Sequence, residues 1–166
     1  MKKCILSLVL ILVVGQTAFA QDLDKLITQL SQIENVEYQV ISREMLDMQL
    51  QAAKDADASG ELAAQLPSFL QKIDSIVVVA AEEATAETKK IFEDEFVNFK
   101  DGNGYETLLN VSDEEDKVLI ISRKVNGKID LFIFAISDEE VALVKMSGNF
   151  EMSDITDIIE QQKKNL

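Results

Sequence analysis

The chain has 166 residues, with 30 acidic against 16 basic side chains, a net charge of −14, one cysteine and no histidine. So acidic a chain argues against nucleic acid and anionic membrane surfaces as partners, since both attract basic patches. Without histidine the commonest general base, the commonest zinc ligand and any Ser-His-Asp triad are excluded. No Ser-x-x-Lys spacing follows Gln21 to offer a lysine-based alternative.

The N-terminus reads as a secretory signal peptide in three parts. Lys2 and Lys3 give a positive start, Cys4 to Val14 form an almost purely apolar run, and Ala18-Phe19-Ala20 offers a small-x-small cleavage site before Gln21. The run is shorter than the roughly 20 residues a membrane-spanning helix takes, and the Ala18-Phe19-Ala20 site argues against an uncleaved anchor. A lipid-modified cysteine would have to follow the run, whereas Cys4 precedes it. Cleavage between Ala20 and Gln21 removes two lysines, the cysteine and no acid, leaving 14 basic and 30 acidic residues. Residues 1–20 are therefore expected to be the signal peptide and residues 21–166 one exported domain, secreted or periplasmic. That domain is expected to have no disulfide, no membrane span and no cofactor.

Leu23, Leu26, Ile27, Leu30 and Ile33 share one helical face, which predicts an amphipathic helix over 22–33 that Asn35 breaks. Val36, Tyr38 and Val40 alternate with Glu37 and Gln39 as a half-buried strand. A second helix starts at Ser42 to Glu44 and runs through Met45, Leu46, Met48 and Leu50. The polar loop Asp55–Gly60 follows, and then a short helix from Leu62 to Ile73 with Pro67 near its start. Ser75–Ala81, rich in β-branched residues, predicts a strand buried on both faces. Thr85 or Thr88 caps a third helix carrying Ile91, Phe92, Phe96 and Phe99, which ends before Gly102 and Gly104. Tyr105–Val111, Lys117–Lys124, Lys128–Ile136 and Val141–Ser147 then read as four strands joined by short turns. The Asn126-Gly127 turn is the strongest hairpin signal among them. Ser153 is expected to cap a last helix carrying Ile155, Ile158 and Ile159.

These elements predict one α+β domain, a mainly antiparallel sheet with a C-terminal four-strand meander packed against about four helices. The meander is apolar on both faces: Ile129, Leu131, Ile133 and Ala135 point one way, and Phe132, Phe134 and Ile136 the other. Either the helices divide between the two faces, or one face receives a partner, a second copy or an apolar ligand. Phe132, Phe134 and Ile136 are the candidate binding residues under the second alternative.

Asp55, Asp57, Ser59, Gly60 and Leu62 match the start of a calcium loop, with oxygens at alternate positions and glycine at the sharp turn. The twelfth position, where a bidentate glutamate belongs, is Leu66, so no metal site is assigned there. Asp113-Glu114-Glu115-Asp116 and Asp138-Glu139-Glu140 read as solvated turns.

The order of parts carries a resemblance. The helix before Ile33-Glu34-Asn35-Val36, the step at Ile41-Ser42-Arg43-Glu44-Met45, Ile73-Asp74-Ser75-Ile76-Val77-Val78 before a strand, and Val144-Lys145-Met146-Ser147-Gly148 before the Asp154-Ile155 helix stand in the order of one family. In this the chain resembles a family of small secreted proteins of unknown function from Bacteroidota. The resemblance implies a compartment and a fold, and supplies no catalytic residues. The functional expectation is an exported soluble envelope or periplasmic module that binds a protein or a second copy without catalysis. The alternative is a carrier of a small apolar ligand, with carboxylate-based hydrolysis and calcium binding behind it.

Overall fold

The computed structural model describes residues 22–56, 67–113 and 116–164. In chain order these form α1 (Leu23–Leu30), β1 (Glu37–Ser42), α2 (Arg43–Ala56), a 3-10 turn (Ser68–Lys72), β2 (Ile73–Ala81), α3 (Ala86–Asn98), β3 (Tyr105–Ser112), β4 (Lys117–Val125), β5 (Lys128–Ile136), β6 (Val141–Gly148) and α4 (Met152–Lys164). The six strands make one sheet in the order β1-β2-β6-β5-β4-β3, antiparallel at every pair. The expected α+β fold and its C-terminal meander are both present. Asn126 and Gly127, at φ 51° and 82°, supply the two left-handed residues that a tight β4–β5 hairpin requires.

Opposite residues of an antiparallel pair share a face, so the register sorts the side chains. One face carries Val79, Leu119, Ile121, Phe132, Phe134 and Leu143, and α1 and α3 cover it with Leu23, Leu26, Ile27, Leu30, Phe92 and Phe96. The other carries Ile73, Ile120, Leu131, Ile133 and Met146 under Leu46 of α2, Phe69 of the 3-10 turn, and Ile155 and Ile158 of α4. The helices thus divide between the faces, which is why β5 is apolar on both sides. Among the described residues no helix is long and apolar enough to cross a membrane.

Four local expectations are corrected. The helix expected over Leu62–Ile73 is, in its described part, only the 3-10 turn, and Ile73 already begins β2. The last helix starts at Met152, ahead of Ser153. Its capping carboxylate is Asp154, which accepts the Glu151 N–H at 2.7 Å as in a capping box. Phe99 lies just past α3 in extended conformation, where its ring meets Tyr105 edge-on. In β2, Ile76, Val77 and Val78 are only half-buried, because the helical cover thins toward β1. Thr85 does cap α3, accepting the Thr88 N–H.

Gly148 closes β6 opposite Ile73 and Ile129. A Cβ there would run into the Lys72 carbonyl oxygen, which already accepts from the Asn149 N–H at 2.9 Å. Since backbone cannot swing aside, Gly148→Ala should cost about 2 kcal/mol, read as a lower urea midpoint at unchanged slope.

Candidate functional site

The register places one polar residue from each strand in a single row across the α1 face: Ser42, Ser75, Ser147, Asp130, Arg123 and Tyr105. Its right half is tightly knit. Arg123 donates to Asp130, Asp24 and the Tyr105 hydroxyl, each at 2.6 Å. Lys145, one row up, donates to Asp24 at 2.7 Å and lies 3.4 Å from Asp130. Ser147 donates to the other Asp130 oxygen, and the Leu23 N–H reaches the Tyr105 oxygen. Arg123 and Lys145 also sit over the ring of Phe132, at 5.4 and 5.6 Å from its centre.

Each charge here is held by another. Burial works against the Arg123 guanidinium, but its hydrogen bonds to Asp130 and Asp24 outweigh that and hold its proton more firmly than usual. Burial likewise pushes the Asp24 carboxyl up, and the hydrogen bonds from Lys145 and Arg123 overcome it, leaving the carboxyl below its ordinary range. Burial pushes the Tyr105 phenol up. Two cations facing two carboxylates form an anchor, and what they anchor is the N-terminal end of α1, through Asp24 and Leu23. On the opposite face Lys72 donates to Asp154 at 2.7 Å, and that bond holds the Asp154 carboxyl low.

The lowered Asp24 and Asp154 fix the sign of the acid response. A carboxyl with a depressed folded pKa adds stability above its unfolded value, about 3.9, and loses it as pH falls through the folded value. Urea midpoints should therefore hold from neutral down to about pH 4 and fall below it. In the Asp24→Asn, Asp154→Asn double variant the neutral midpoint should be lower and the acid limb flatter. An equally steep limb would mean other carboxylates set it.

Phe132, Phe134 and Ile136 are at 0%, 0% and 3% exposure beneath α1 and α3, so they are packed as core. Ala18, Ala20 and Gln21 lie outside the described residues, as do Asp57 and Ser59. Asp55 still belongs to α2, where Gln51 donates to it at 2.7 Å, so the expected polar loop begins later than Asp55. Among the described residues no group of three or more potential metal ligands gathers.

The feature the sequence understated is β1. Its alternation reads as half-buried, yet Tyr38 is 53% and Val40 45% exposed, so the cover that buries Val79, the β2 residue opposite Tyr38, does not extend to this edge. The sheet's two edges differ. On β3 a register shift lies between Thr107 and Leu109, and the Asp101 carboxylate accepts both the N–H and the hydroxyl of Thr107. Bulges and side-chain caps of this kind blunt an edge. β1 runs six residues in unbroken register with β2, and among the described residues nothing pairs with its outer side.

Residues 19–158 match the family described as Domain of unknown function (DUF4252), and the chain belongs to that family. No curated protein matches the chain.

Proposed function

We propose that the chain is an exported, non-enzymatic module that acts in the envelope of a Bacteroidota-type host by binding another protein along the edge of β1. The observation that carries the reading is the regular edge itself, with Tyr38 and Val40 standing beside a row of backbone donors and acceptors that nothing among the described residues pairs. Such an edge is a template for an added strand, whose main-chain hydrogen bonds give affinity while alternate side chains give specificity. Export is supported by the three-part N-terminus and by a family match that begins beside Ala20. A non-catalytic role is supported by the charged cluster, whose cations and carboxylates engage one another. The carrier reading has less behind it, since Phe92, Phe132 and Phe134 fill the space between sheet and helices where a ligand was expected.

Protein recovered from its host should begin at Gln21; an intact Met1 on the envelope form would sink the export half. A photo-crosslinking side chain at the exposed Gln39 should capture a second protein in intact cells, and one at the exposed Asp157 on α4 should not. Recovery of monomer alone from both positions would overturn the binding half. Val40→Lys should abolish the Gln39 crosslink while leaving stability within about 0.5 kcal/mol, as surface substitutions do.

A further inference from the structure

We infer that the strand added at β1 is an extended segment of another protein with alternating apolar residues and a basic C-terminal end, docking antiparallel; this rests on the binding role proposed above. Two observations set its chemistry. Tyr38 and Val40 lie two residues apart on one face of β1, exposed, beside the half-buried Val77. They offer an apolar strip that matches the every-second-residue spacing of a strand and suits β-branched or aromatic cross-strand partners.

The second observation is where the charge lies. Glu34 and Glu37 stand at the N-terminal end of β1. Because Glu37 is opposite Ala80, Glu82 and Glu83 leave β2 at that same end. All four are exposed, and no ion pair joins any of them to a described lysine or arginine. At the other end the nearby cation, Arg43, is already held by Asp47 and by the Leu70 and Ile73 carbonyls. Among the described residues the edge is therefore unequally charged, with four unpaired glutamates at one end against the exposed Glu44 beside Arg43 at the other. An antiparallel strand, the geometry of every pair in this sheet, brings its C-terminal end beside those glutamates. Lysine or arginine there meets a negative field that is screened over about 8 Å at physiological salt. A second copy would bring its own net negative charge to the same edge, which disfavours self-pairing.

The test uses the exported chain and a short fluorescent peptide of alternating Val and Thr ending in three lysines, beside the same peptide ending in three glutamates. The lysine peptide should bind with added hydrogen-exchange protection of the β1 amides, weaken as salt rises, and exceed the glutamate peptide by at least about tenfold. Glu37→Lys with Glu82→Lys should erase that preference without unfolding the protein. Equal binding of the two peptides would overturn the charge assignment; if the Gln39 crosslink still captured a protein, the binding role would stand. Protection of β1 in the protein alone, with sedimentation as a dimer, would make the occupant a second copy and overturn the inference. Binding by neither peptide, with no change at β1, would overturn it too, and the crosslink would again decide the binding role separately.

Discussion

Truncating Phe132 to alanine should lower the free energy of unfolding by about 4 kcal/mol, within the range found for emptying a buried aromatic site. The ring is fully buried in the middle of β5, meets Tyr105 edge-on at 5.8 Å, and carries Arg123 and Lys145 over its face. Its loss leaves a void that α1, held in place by ion pairs, cannot follow inward, and it strips two half-buried cations of their aromatic floor. Tyr38→Ala, on the same face but at the open edge, should change stability by no more than about 0.5 kcal/mol. Urea unfolding of the two variants separates core from docking surface. A loss below about 1 kcal/mol for Phe132→Ala would mean that the ring is not packed as core.

Where sequence and structure agree, short-range rules decide the outcome. The two-residue alternation of β4 to β6, the Asn126-Gly127 turn and the Thr85 cap each depend on neighbours a few residues away. Which face of a strand ends up covered is different, because that depends on helices placed from afar. Phe132, Phe134 and Ile136 present the same alternation whether they meet α1 and α3 or a partner. For the same reason Tyr38 and Val40 read as half-buried: alternation reports which residues share a side, and helices placed from afar decide whether that side is covered. The anchor was hidden for a further reason. Arg123 meets Asp24 across 99 positions and Lys145 meets Asp24 across 121, and nothing in one sequence pairs acids with bases at such separations. The one visible hint was an arginine and an aspartate interrupting the apolar pattern at the ends of β4 and β5 that face each other across the hairpin.

Replacing Arg123 by methionine, which keeps most of the side-chain length and loses the charge, should cost about 3 kcal/mol. The loss comes mainly from what is left behind. Asp130 is only 10% exposed, and without Arg123 its charge rests on the Ser147 hydroxyl and on Lys145 at 3.4 Å. Removing one partner of a buried pair is costly because the other charge stays dry and uncompensated, so removing that charge as well should recover much of the loss. Adding Asp130→Asn to Arg123→Met is therefore expected to restore more than half of the stability, giving a coupling of about 2 kcal/mol in the double-mutant cycle. Lys145→Met should cost less, since its main partner Asp24 is 43% exposed and can hydrate. The anchor also predicts where the fold loosens first. In Arg123→Met the amides of Leu26, Ile27 and Leu30 should exchange faster than those of Leu131 to Ile133, because α1 is held by its own apolar face and these ion pairs, whereas β5 keeps strand partners on both sides. Uniform acceleration across α1 and β5 would mean that the cluster supports the whole sheet, and α1 would then not be the element it anchors.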